Sequence, residues 1–357
     1  MRAILNWRQV KSRSVQKRVL AAVAALFTLY QLPLEKIRAD LFRKLRNERW
    51  NTSDENYMAS FEVEEENARH PEESLQASGD MGYSGSTFYE TSDSKFIVKS
   101  IPRYFEHSFF RDDLMLPYID HMSAHPKSML VRICDFLAGP YFTIGSLLGL
   151  APTHHIIMEN ILYGQSEAKE LGGPKWEYWD LKPTSYFYPE RDIAQGSLTS
   201  DATKDRLADK FEDKMVLSRE QARDFMLILE EDTQLLADCN AVDYSLFLVR
   251  IAIESQNPFH DHASSALGVL PNDPPFIPPS PPTWRTGVKS ADGKHVFRAS
   301  ILDFFWAKHK AQPQFMTGLI KLYNKVDRQG PMSITTHPAE YRARFLKMVE
   351  NMIDIRK

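Results

Sequence analysis

The chain has 357 residues, of which 43% are apolar and 25% charged, and its formal net charge is −3. At roughly 150 residues per domain this length suits two domains or one two-lobed unit with an ample core. The ordinary composition excludes a collagen, a coiled-coil rod and a wholly disordered chain. A slightly negative chain offers no overall basic field for nucleic acid. Its two cysteines, Cys134 and Cys239, exclude a disulfide framework and a cysteine-built zinc site. Two reduced core thiols suit a cytoplasmic or nuclear protein.

Residues 1–33 form a basic N-terminal segment in which Arg2, Arg8, Lys11, Arg13, Lys17 and Arg18 precede an apolar run over 19–32. That run falls short of the roughly 20 residues that span a bilayer. No small-residue cleavage site follows it, as one would after a signal peptide. It reads as a basic helix. Residues 1–50 hold 12 Lys/Arg against 3 Asp/Glu, and residues 51–80 hold 1 against 9. Salt screens charges beyond about 10 Å, so the two blocks act locally. Either the basic block is a solvated face balanced by the acidic one, or it rests on anionic lipid at about 1 kcal/mol per basic residue.

Residues 34–50 read as an amphipathic helix with Leu34, Ile37, Leu41, Phe42 and Leu45 on one side. Residues 62–80 read as an acidic loop. In GYSGSTFYETSDSKFIVKSI (82–101) a strand, a TSDS turn and a second strand make a hairpin preceded by glycines. Residues 106–122 read as a helix with a break or kink near Pro117. Strands follow at 129–137, 153–159 and 175–181, then a polar loop at 189–205. Ser218 and Gln221 form a capping box ahead of a long helix. Residues 242–253 read as a buried strand. Residues 257–293 contain eight of the chain's 21 prolines and read as a disordered insertion, with a proline-reading protein as its conceivable partner. A strand at 297–307 and helices near 314–326 and 338–354 close the chain. Pro338 suits the first turn of the last helix, with Tyr341, Phe345, Met348 and Met352 on one stripe.

The chemistry lies in a few pieces. Ser84, Gly85 and Ser86 stand where backbone N–H groups can approach a phosphate, since glycine has no side chain to block it. Lys99 falls on the second strand of that hairpin, and a buried ammonium needs a partner. Glu106 is the nearest acidic residue on the following helix. Asp180 and Lys182, two apart in WDLKPTS, can pair or address a phosphate–metal centre. Asp243 and Asp303 stand among apolar neighbours, where an aspartate is either hydrogen-bonded or holds metal. DLKP resembles a protein-kinase catalytic loop, but no Asp-Phe-Gly occurs in the chain. The histidines lack metal spacing. There is no G-x-S-x-G, no H-E-x-x-H and no Walker A sequence.

Taken in order, these pieces resemble the phosphatidylinositol phosphate kinase family from about residue 34 to about residue 352. The carrying segments are FRKLRNERWNTSDENYMASF, SGSTFYETSDSKFIVKSI, LPYIDHMSAHPKSMLVRICDF, HHIIMEN, WDLKPTS, DCNAVDYSLFLV, ILDFFW and SITTHPAEYRARFLKMV. The resemblance implies an α+β, two-lobed kinase-like fold, of the kind shared with SAICAR synthase, with antiparallel sheets and flanking helices. Its N-terminal lobe would be 34–162 and its C-terminal lobe 163–354. It implies ATP and Mg²⁺ as cofactors, a phosphoinositide as substrate, and peripheral placement on an anionic membrane surface.

Residue by residue, the resemblance has Lys99 bind the ATP phosphates, with Glu106 as its partner. Ser84, Gly85 and Ser86 would cover the nucleotide, and Met158 and Asn160 would meet it at the hinge. Asp303 would hold Mg²⁺, Asp243 would orient or deprotonate the inositol hydroxyl, and Asp180 and Lys182 would lie near the phosphates. Lys308 and Lys310 would face lipid. The sequence departs from the family in two places. Pro183 and Thr184 follow Lys182 where the family reads Gly-Ser, and the adjacent Lys-Lys pair of the activation segment is missing from 304–318. These departures support an alternative, a catalytically weak pseudokinase that binds nucleotide, lipid or protein. Removing residues 1–20 is expected to weaken binding to anionic vesicles, as measured by co-sedimentation. Unchanged binding in low salt would contradict a lipid role for that segment.

Overall fold

The computed structural model describes residues 34–61, 75–78, 86–140, 152–183, 210–253, 283–307 and 336–356. The expectations for residues 1–33, Ser84, Gly85, the loop 189–205, Lys308, Lys310 and the helix near 314–326 lie outside the described residues, as does most of the proline-rich insertion.

In chain order the elements begin with β1 (Glu35–Ile37) and α1 (Ala39–Lys44), which widens into a π-helical turn (Leu45–Arg49). Next come α2 (Asp54–Ala59), β2 (Leu75–Ser78), β3 (Phe88–Thr91) and β4 (Phe96–Ser100). α3 (Tyr104–Phe109), a second π-helical turn (Phe110–Leu114) and α4 (Met115–Ala124) run on without a break. β5 (Ile133–Ala138), β6 (His154–Glu159), α5 (Gln165–Glu170), β7 (Trp176–Leu181) and β8 (Met215–Leu217) follow. The chain continues through α6 (Arg219–Asp238), β9 (Ala241–Val242), β10 (Ser245–Ala252), β11 (Val288–Lys289) and β12 (His295–Leu302). β13 (Trp306–Ala307), α7 (Pro338–Glu350) and β14 (Ile353–Ile355) end it.

One sheet has six strands in the order β1-β5-β6-β4-β3-β2, and a second has four in the order β11-β12-β10-β7. Every neighbouring pair in both is antiparallel. A short β9–β13 ribbon and a parallel β8–β14 pair complete the pairing. Two antiparallel sheets with helices against them make an α+β fold.

Local signals account for much of this. Ser218 accepts from the Gln221 N–H while the Gln221 side chain accepts from the Ser218 N–H, so the capping box starts α6 where expected. Pro338 opens α7, and the α7 side chains Tyr341, Phe345 and Val349 are fully buried.

Four expectations need correction. Residues 62–80 are not loop throughout, because Leu75–Ser78 pairs as β2 with the open edge of β3, which satisfies its backbone groups. The helix over 34–50 begins only at Ala39, because Glu35–Ile37 pairs with Phe136–Ala138 and Arg38 turns the chain with φ 52°. An open sheet edge satisfies those backbone groups better than an isolated first helical turn does. Of the break or kink expected near Pro117, the structure shows no break. Instead the turn before it widens, with the Met115 N–H bonding the Phe110 carbonyl. Proline gives no N–H to the carbonyl four residues back and crowds it, and a wider turn relieves that contact. The insertion also ends earlier than 293. Thr283–Gly287 form a turn and β11 joins the sheet, with Trp284 and Arg285 buried.

A seam of hydrogen bonds joins the segment before β5 to β12 of the second sheet. The Val131 N–H bonds the Ile301 carbonyl at 3.1 Å, the Ile301 N–H bonds the Met129 carbonyl at 2.7 Å, and Ser300 Oγ donates to the same Met129 carbonyl at 2.9 Å. Arg285 pairs with Glu159 and donates to the carbonyls of Ser128 and Leu130. Asp232 accepts from the Met129 N–H at 2.6 Å and lies 2.7 Å from His121 Nε2. Aromatic side chains from the segment after β12 fill the space in front. Phe304 stacks on Tyr118 at 5.9 Å, Phe305 meets Phe110 at 5.3 Å, and Trp306 meets Phe105 at 4.4 Å.

Elsewhere in the first lobe, the His107 and His154 rings stack 3.6 Å apart. Burial, helped by His154 and Arg111, pulls His107 down to about 3; burial with Arg111 and His155 pulls His154 down to about 4, and burial alone takes His155 to about 4. The folded state therefore holds these rings neutral at pH values where the unfolded chain protonates them. Stability from this source is present above the ordinary histidine value near 6.5 and is lost as pH falls toward 4. Melting temperatures measured from pH 7.5 to pH 4.5 are expected to fall, and His107→Phe, which keeps a stacking ring, is expected to flatten that fall. An identical slope in the variant would contradict this account.

Candidate active site

The register of the second sheet places the aspartates. β10 and β12 pair from Ala252↔His295 to Ser245↔Leu302. β9 and β13 resume the pairing with Val242↔Trp306 and Ala241↔Ala307. Between these two ladders both strands leave the pairing at the same point, with Asp243–Tyr244 on one side and Asp303–Phe305 on the other. Each excursion opens on an aspartate in the left-handed conformation, Asp243 at φ 65° and Asp303 at φ 61°. Aspartate tolerates this region better than most residues. It still costs of order 1–3 kcal/mol and persists only where the surroundings impose it.

β7 supplies the third wall. It pairs with β10 through Leu181↔Leu246 and Asp180↔Phe247, so Lys182 emerges next to the Asp243 excursion. Lys182 Nζ lies 3.1 Å from Asp243 Oδ2, and both side chains are nearly buried. Asp243 Oδ1 is buried and has no hydrogen-bond partner among the described residues. Asp180 sits two residues upstream of Lys182, and Pro183 is buried immediately after it.

Lys99 reaches this point from the other sheet. It sits on β4 between Phe88 of β3 and Ile156 of β6, 5% exposed, with its ammonium 5.2 Å from the centre of the Phe88 ring. Its ion-pair partner is Asp303. The expected Lys99–Glu106 pair is therefore corrected. Glu106 pairs with Arg103 at 3.0 Å, one turn away on its own helix, and Arg103 leans over the Trp306 ring. The Arg103–Glu106 spacing of three residues was visible in the sequence and competes for the same carboxylate.

The remaining expected residues divide. Ser86 is buried just before β3, and next to it the Thr87 N–H and hydroxyl both bond Ser100 Oγ, at 2.7 and 3.0 Å. Met158 is buried in β6 opposite Ile97 and Ile133. Asn160 follows β6, where its Nδ2 donates to Glu90 Oε1 at 3.2 Å and the Ser94 carbonyl at 2.9 Å. Its Oδ1 accepts from the Leu162 N–H at 3.0 Å. Asn160 thus ties the segment after β6 to the β3–β4 hairpin with its side chain. Arg285 escaped the sequence reading because prolines precede it, although a Trp-Arg pair is itself unusual in a proline-rich tract. Among the described residues no three His, Cys, Asp or Glu side chains gather to hold a metal, and no helix is long and apolar enough to cross a membrane.

The site therefore brings two lysines and two carboxylates from four strand ends to one cleft. The family model for phosphatidylinositol-4-phosphate 5-kinase matches residues 70–352, most of the chain. A probable phosphatidylinositol phosphate kinase of Dictyostelium discoideum is 25% identical over 180 residues, which make up 50% of this chain and 23% of that protein. The aligned part spans under a quarter of that relative's length. With its landmarks in family order and its aspartates and lysines converging on one cleft, the chain is a divergent member of the phosphatidylinositol phosphate kinase family.

Proposed function

We propose that the protein transfers the γ-phosphate of Mg-ATP to the inositol ring of a phosphoinositide at an anionic membrane surface. The observation that carries this reading is the meeting of Lys99 from the first sheet with Asp303 from the second, beside the Lys182–Asp243 pair. Such transfers ask the protein mainly for positioning and charge neutralisation.

Each residue then has a task. Lys99 and Asp303 neutralise each other in this structure, and a Mg-nucleotide offers each a new partner, phosphate for the ammonium and cation for the carboxylate. Magnesium bound through phosphates takes only one or two protein carboxylates, with hard oxygen donors. Asp303 suits that role, and the unpartnered Oδ1 of Asp243 is free to address the acceptor hydroxyl or a second cation. When bound, magnesium supplies charge neutralisation on the phosphate oxygens. Lys182 holds the other oxygen of Asp243, which fixes the direction in which Oδ1 points. Asp180 lies upstream on the same strand. Ser84, Gly85 and Ser86 cover the nucleotide, Met158 and Asn160 flank it, and Lys308 and Lys310 meet the lipid.

A specific observation favours a second reading. Pro183 is buried directly after Lys182, so the backbone there offers no N–H where the family has glycine. A pseudokinase that retains the cleft as a binding site is consistent with that substitution.

The test is transfer of labelled γ-phosphate from Mg-ATP to vesicles carrying each monophosphorylated phosphatidylinositol. A labelled lipid is expected, reduced at least ~100-fold in both Lys99→Met and Asp303→Asn. No product on any lipid from folded protein would overturn the kinase reading, and retained nucleotide binding in that case would favour the pseudokinase.

A further inference from the structure

Tyr341 belongs to α7, far along the chain from every residue of the cleft, and is fully buried. Its hydroxyl donates to the Tyr244 carbonyl at 2.6 Å. Its ring meets the Tyr244 ring edge-on with centroids 4.8 Å apart, and Phe345, one turn later, meets the same ring at 5.0 Å. Tyr244 is the residue between Asp243 and the first rung of β10, inside the interruption that carries the aspartate.

We propose that Tyr341 is a positioning residue: by holding the Tyr244 carbonyl it keeps Asp243 in its left-handed conformation and so aims Oδ1 into the cleft. Three observations combine. The conformation at Asp243 is costly and needs an imposed restraint. Lys182 restrains only one side-chain oxygen of Asp243, leaving the backbone to be held from elsewhere. The Tyr341 hydroxyl is a buried donor to the Tyr244–Ser245 peptide, one peptide beyond the one that leaves Asp243, on a helix itself fastened to α6 by the Arg342 bond to the Glu230 carbonyl at 3.0 Å. Tyr341 touches no reacting atom and acts only through this peptide. Its catalytic consequence rests on the reading of Asp243 as the group that addresses the acceptor hydroxyl.

The test compares the full chain with Tyr341→Phe, which deletes one hydroxyl and keeps the ring, and with Val349→Ala, which weakens α7 packing farther along the helix. Three readouts are taken: lipid phosphorylation kinetics, melting temperature, and hydrogen exchange of the amides of 241–245. Tyr341→Phe is expected to lower kcat about tenfold, the value of one buried hydrogen bond, to leave the KM for ATP within about twofold, and to speed exchange in 241–245. Val349→Ala is expected to lower the melting temperature while keeping kcat. Unchanged kcat and exchange in Tyr341→Phe would overturn the proposal, as would an equal loss of kcat in both variants. If the unaltered chain phosphorylates no lipid, the function reading fails by itself. Exchange in 241–245 then decides the hold: faster exchange in Tyr341→Phe alone supports it, and unchanged exchange overturns it.

Discussion

Two neighbouring strands stop pairing at the same rung, and the cleft exists because of it. An uninterrupted β10–β12 ladder would alternate its side chains into the core and out to solvent and would leave no carboxylate at the sheet end. The double interruption puts Asp243 and Asp303 at the opening of two adjacent excursions, both left-handed. Neither excursion is loose. Phe304, Phe305 and Trp306 sink into the α3–α4 side of the other lobe, and Tyr244 packs against α7. The hydrophobic anchors offset the backbone cost, and the polar residues between them are what the cleft displays. Packing and chemistry are divided residue by residue along two short segments.

Lys99 ties this arrangement to the first sheet. All five residues of β4 are buried, so the lysine sits in a place that would reject a lone ammonium. Its partner comes from 204 positions away, across the cleft. The helix carboxylate that could have served instead is engaged by Arg103. In this state each of the two lysines is paired with one aspartate, Lys99 with Asp303 and Lys182 with Asp243.

How much of this could be read from the chain depended on the range of the interaction. The capping box at Ser218, the proline at the start of α7, the β3–β4 hairpin with its TSDS turn and the apolar strand over 242–253 rest on neighbours within a few residues, and all were legible. The family resemblance supplied the order of the landmarks and singled out Lys99, Asp243 and Asp303, but it paired Lys99 with Glu106 and not with Asp303. Three things were not legible. Glu35–Ile37 carries the same apolar spacing whether it forms helix or edge strand, and only the free edge of β5 decides. Trp284 and Arg285 lie in a tract whose prolines hide the return to the sheet. The positive φ of Asp243 follows from where β9 pairs with β13, a register that no local pattern encodes. Glu106 was misassigned for the opposite reason, because a nearer cation three residues away outcompeted a more distant one.

The seam behind the cleft bears on time as well as shape. Arg285 with Glu159, Arg298 reaching the Tyr163 carbonyl at 2.8 Å, and the peptide bonds between 129–131 and Ile301 lie together at the rear of the lobe junction. Breaking one buried ion pair costs about 3–5 kcal/mol, several times thermal energy. A body fastened so firmly along one edge resists swinging apart as two halves. On the reading proposed above, a nucleotide between the two sheets would then come and go by small displacements and not by the two halves swinging apart.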